Sequence, residues 1–91
     1  MIQKGSRRIS VEPAQLRAGR GLLGWSQSDL ARHAGLSLPT VKRVETDFGI
    51  RVSEEARGKL CSALEHAGVE FISENGGGFG VRLRKRQSGK N

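Results

Sequence analysis

The stretch that decides this chain is QSDLARHAGLSLPTVKRVET, residues 27–46. Counting Gln27 as position one, Leu30, Ala34, Leu36, Val41 and Val44 fill positions 4, 8, 10, 15 and 18. That is the apolar rhythm of two short helices interrupted near the middle. Ala31 at position five supplies a small residue where two steeply crossing helices approach. Gly35 at position nine supplies a turn residue tolerant of positive φ. Ser26 is an N-cap candidate for the first helix, with Asp29 near its positive end. Ser37 is the cap candidate for the second, and Pro39 fits its first turn. Once the apolar set is turned inward, Leu38, Pro39, Lys42, Arg43 and Thr46 face outward.

The flanks extend the pattern. Residues 1–10 read as a flexible basic arm without the hydrophobic segment of a secretory signal. Pro13 opens a preceding helix in which Leu16, Arg20 and Leu23 recur at helical spacing, with Gly24 as its stop. Residues 46–52 read as loop. A fourth helix starts after the cap Ser53, places Glu54 and Glu55 at its positive end and stops at Gly68. Ala56, Leu60, Ala63, Leu64 and Ala67 form its continuous apolar face. The period then changes: residues 69–73 and 81–84 read as short strands joined through Glu74-Asn75-Gly76-Gly77-Gly78. A lone hairpin is marginal in water, so it must pack on the helices, pair with another chain, or both. The expected organisation is an arm over 1–10, a helical domain over 11–68, a hairpin over 69–84 and a basic tail over 85–91.

Composition bounds the function. The 91 residues contain sixteen Lys+Arg and nine Asp+Glu, for a formal charge of +7. Residues 1–8 and 82–91 carry +3 and +5 without a single acid, whereas residues 9–81 sum to −1. Cationic ends attract polyanions, nucleic acid first and acidic membranes or proteins second; short basic tails also serve solubility alone. One cysteine, Cys61, argues against a disulfide scaffold and reads as packed beside the fourth helix. No apolar run approaches the roughly 20 residues of a membrane span, and a reducing, cytoplasmic setting is expected. His33 and His66 lack zinc-ligand spacing. The glycine run 76–80 precedes a strand without the Lys-Ser/Thr of a phosphate loop, so it reads as a turn. No nucleophile–base set is evident; neither an enzyme nor a cofactor is expected. Four aromatics and no tyrosine leave little for stacking single-stranded bases, and the spacing of Trp25 favours a core or helix-edge position over base stacking.

The seven matching positions between Gln27 and Glu45 resemble the helix-turn-helix of the phage repressor and Cro family, also called the XRE family. The resemblance spans about residues 12–67. The tail, with its segments 68–72, 75–78 and 80–84, resembles a subgroup of bacterial regulators ending in GVEFI…NGGG…GVRLR. The implied fold is mainly α, four repressor-like helices followed by a C-terminal β-hairpin. The resemblance implies a structural ion pair between Arg20 and Glu45, and a phosphate-holding Gln27 at the start of the second helix. Ser26, Thr40, Thr46 and Arg51 are further candidates for the DNA backbone.

The third helix would enter the major groove N-terminus first, with Ser37, Leu38, Pro39, Lys42 and Arg43 as base readers. Leu38 suits a thymine methyl, and Arg43 suits guanine O6 and N7. Where the family ends in a dimerising helix this chain has a hairpin, and Val69, Phe71, Val81 and Leu83 are its candidate dimer contacts. The expected partners are double-stranded DNA and a second copy of the chain, which would make a repressor on an inverted repeat. An antitoxin or anti-activator that also holds another protein is the alternative.

Overall fold

The computed structural model describes residues 11–46 and 53–85. Four helices precede a two-stranded antiparallel sheet: α1 (Pro13–Leu23), α2 (Gln27–Ala34), α3 (Leu38–Thr46), α4 (Glu54–His66), β1 (Val69–Ile72) and β2 (Gly80–Leu83). The architecture is mainly helical with a C-terminal hairpin, as the sequence predicts. Thr46 closes α3 rather than opening a loop, because Val41, Val44 and Glu45 on its final turns are all buried. The rest of the expected loop, the basic arm and the tail beyond Lys85 lie outside the described residues.

Local signals set the helix ends. Pro13 occupies the first position of α1, where its missing N–H costs nothing, and the Glu12 N–H donates to Gln15 Oε1 at 2.8 Å. Gly24 and Gly35 terminate α1 and α2 at φ 71°, a left-handed conformation that glycine enters without strain. On α4, Ser53 Oγ accepts the Ala56 N–H at 3.1 Å. That helix ends at His66, two residues before the expected stop, with Ala67 at φ −86° and ψ 0° and Gly68 at φ 111°.

The core gathers Leu16 from α1, Leu30 from α2, Val41 and Val44 from α3, Leu60 and Leu64 from α4, and Val69 from β1. Cys61 is buried with them, and Trp25 packs against the rim. The hairpin is part of this core. Its register pairs Val69 with Leu83 and Phe71 with Val81 on one face; Glu70 pairs with Arg82 on the other, where their side chains meet at 2.8 Å. Gly19 lets α1 lie directly on β1, since a Cβ there would sit 3.2 Å from a Val69 methyl. Gln15, 3% exposed, completes the join: its Nε2 donates to the carbonyls of Ile72 at 3.2 Å and Gly80 at 2.8 Å, one from each strand. A buried amide with both protons placed costs little, and it anchors the sheet end that a two-stranded hairpin would otherwise fray.

The four candidate dimer contacts differ in how far the chain's own core covers them. Val69 and Phe71 face the chain's own core, and Val81 is half-buried against it. Val69 and Phe71 are thus covered within the chain itself, Val81 is covered in part, and Leu83 is 45% exposed. The period-2 pattern located the apolar face but could not say whether helices or a second chain would cover it. The hairpin connection is held internally as well. The Glu74 carboxylate accepts the N–H groups of Gly76 (2.8 Å) and Gly78 (3.2 Å), and Asn75 Oδ1 accepts that of Gly77 (3.2 Å). Those glycine N–H groups are thus spent within the turn.

Candidate nucleic-acid interface

At the entry to α2, a reciprocal cap fixes the helix end. Ser26 Oγ accepts the Asp29 N–H at 3.0 Å, and the Ser26 N–H donates to Asp29 Oδ2 at 2.9 Å. The bonds from the Ser26 backbone and hydroxyl hold the Asp29 carboxyl below the usual aspartate value, with Arg32 assisting. Trp25, just before the cap, stacks its ring on His33 at a centroid distance of 4.1 Å.

Behind this entry sits a buried carboxylate. Glu45, fully buried near the end of α3, accepts Arg20 Nε on Oε2 at 2.8 Å. Its Oε1 accepts an Arg20 terminal nitrogen and Gln27 Nε2, both at 2.9 Å. A third Arg20 nitrogen donates to the Trp25 carbonyl at 3.1 Å, and Arg17 donates to the Glu45 carbonyl. One charge thus ties α1, the start of α2 and the end of α3 together, which fixes the angle at which α3 leaves the turn. Gln27 is half-buried and shares this network. An amide nitrogen carries two protons, so one remains for an outside acceptor.

The outer side of α3 is open. Ser37, Pro39, Lys42, Arg43 and Thr46 are exposed; Leu38 and Thr40 are half-exposed. Neither the Lys42 nor the Arg43 side chain has a hydrogen-bond or ion-pair partner among the described residues. The hydroxyls bond within the helix and its start: Ser37 and Thr40 share a 2.9 Å bond, and Thr46 Oγ1 donates to the Lys42 carbonyl at 2.8 Å. Arg51 lies outside the described residues. The sequence reading missed Arg17 and Gln15. Arg17 was detectable, because it stands one turn before Arg20 on the same face of α1; Gln15 had no local signal, its partners being 57 and 65 residues away.

Among the described residues no group of three or more His, Cys, Asp or Glu is placed to hold a metal ion, and no helix is long and apolar enough to cross a membrane. Two short helices set across a glycine turn, the second presenting cations unpaired among the described residues, define a helix-turn-helix domain of the DNA-binding class. Comparison with known families agrees: the model for the helix-turn-helix domain matches residues 14–71, well over half the chain. The chain belongs to that family, whose members are as a rule DNA-binding and non-enzymatic. The match runs from α1 to Phe71 in β1, so β2 lies beyond it. No curated protein matches the chain.

Proposed function

We propose that this protein is a transcriptional regulator of the phage repressor/Cro type that reads a specific double-stranded site through α3. The observation that carries this reading is the pair of cations, Lys42 and Arg43, without partners among the described residues, on the exposed side of a helix whose angle is locked from behind by Glu45. Phosphates would be held at the α2 entry by Gln27, by the Ser26 hydroxyl and by backbone N–H groups at the helix start. The basic ends add affinity without sequence information.

We propose further that the chain acts as a homodimer on an inverted repeat, with half-sites roughly 34 Å apart. The exposed apolar residues Leu22, Phe79 and Leu83 are the surface such a dimer would draw on. Coverage of a promoter by the dimer makes repression the expected outcome.

Selection from a random duplex library tests the reading. An enriched motif with two-fold symmetry is expected; equal affinity for duplex and single strands would sink it. Arg43→Ala should relax discrimination at one base pair per half-site by about 1–3 kcal/mol. Removal of residues 86–91 should weaken binding to all sequences alike and flatten the salt slope. Sedimentation of Leu22→Lys/Leu83→Lys tests self-association with the core left intact, and an unchanged dimer would reject this surface.

A further inference from the structure

The exposed side of α3 is built as two short columns. Leu38 and Lys42 stand four residues apart, and so do Pro39 and Arg43, a spacing that stacks side chains on one helix surface. Each column begins with an apolar residue and continues, one turn later, with a cation that has no partner among the described residues.

What α3 lacks is equally specific. It carries no Asn or Gln, and its one acid, Glu45, is buried in the network with Arg20. Thr46 has spent its only proton on the Lys42 carbonyl, while Ser37 and Thr40 share one bond and Ser37 Oγ also takes the Thr40 N–H at 3.3 Å.

The major-groove edges call for different partners. Guanine presents two acceptors and suits a cation. Adenine presents an acceptor and a donor and suits an amide. The cytosine amino group needs an acceptor, and a thymine C5-methyl needs an apolar surface. A helix with cations and apolar side chains, but no exposed amide or carboxylate, is equipped for guanine and for C5-methyl groups.

We propose that α3 reads a pyrimidine C5-methyl group through Leu38 and Pro39, next to guanine held by Lys42 and Arg43, so that affinity for the site depends on C5 methylation. Thymine and 5-methylcytosine are then equivalent at the contacted position, and uracil and cytosine are the disfavoured pair. This inference rests on the DNA-reading function proposed above and names the chemistry of its ligand.

The test uses the full-length chain and the duplex enriched from a random library. Each thymine is replaced in turn by deoxyuridine, and each cytosine by 5-methylcytosine. At the contacted pyrimidine, loss of the methyl should weaken binding by about fourfold, and its addition to a cytosine there should strengthen binding equally. The difference should vanish in Leu38→Ala or in Pro39→Ala. Pro39 is exposed, so its variant guards against a Leu38 variant that fails to fold, and circular dichroism monitors both.

Indifference to the methyl at every pyrimidine overturns the inference while leaving the DNA-reading function standing. So does a methyl effect that persists unchanged in both variants. Failure to enrich any duplex site overturns the DNA-reading function and this inference with it.

Discussion

Arg20 and Glu45 make an ion pair with unequal access to water: the Arg20 side chain is 20% exposed and the Glu45 side chain 0%. Removal of either partner should therefore cost different amounts. Arg20→Met strands a carboxylate that water cannot reach, leaving only the Gln27 amide bonded to it. Loss of one partner from a buried pair costs about 3–5 kcal/mol, and domains are stable by only about 5–15 kcal/mol in total. With about 4–8 °C per kcal/mol for a domain of this size, Arg20→Met should lower Tm by at least ~12 °C. Glu45→Met instead leaves a guanidinium that reaches solvent and still donates to the Trp25 carbonyl, so its cost should be about 1–2 kcal/mol. In the double variant both charges are gone, and stability should exceed that of Arg20→Met alone. Urea unfolding followed through Trp25, the chain's one tryptophan, with circular dichroism beside it, supplies the numbers. The reasoning is refuted if Glu45→Met is as damaging as Arg20→Met, or if the two costs simply add. An Arg20→Met chain that does not fold still leaves the test intact, because the double variant must then recover structure.

Three smaller predictions rest on other parts of the molecule. Gly35→Ala adds a methyl with no atom within 4 Å but holds alanine at φ 71°; the cost should be about 1–2 kcal/mol, and a neutral result in the same urea assay would show that the turn relaxes. Gly19→Val drives a branched side chain into Val69 and Leu64, and overpacking of this kind costs about 1–3 kcal/mol; unchanged stability would mean that α1 lifts freely off the sheet. Asp29 has a folded pKa below its unfolded value, so the stability it confers is full above the ordinary aspartate value and is lost as pH falls through the lowered one. An NMR titration of the Asp29 carboxyl should show its midpoint rising in Ser26→Ala, which keeps the backbone bond and loses the hydroxyl, and an unmoved midpoint would remove the Ser26 hydroxyl as a cause.

How much was legible in advance depended on the range of the interaction. The caps at Ser26 and Ser53, the stop at Gly35 and the inward set Leu30, Val41 and Val44 are local features, decided within one or two turns. The same holds for the outward placement of Lys42 and Arg43, which follows from 3.6-residue periodicity once the apolar face is known. The hairpin was legible as a hairpin, but not which of its apolar residues the helices cover. Val69 and Phe71 face α1 and α4 because Gly19 opens a place for Val69 and Gln15 bonds both strands. Neither residue advertises that role in its neighbourhood.

The amino-acid sequence by itself determined the elements, their ends and which face of each is apolar, because those depend on backbone hydrogen bonds and side-chain periods over a few residues. Only the tertiary structure decided where Arg17 and the amide of Gln27 go. A buried carboxylate recruits every donor within reach, and Glu45 draws Arg20 from 25 residues away and Gln27 from 18. Gln27 thus serves the interior, and Lys42 and Arg43 have no hydrogen-bond or ion-pair partner among the described residues.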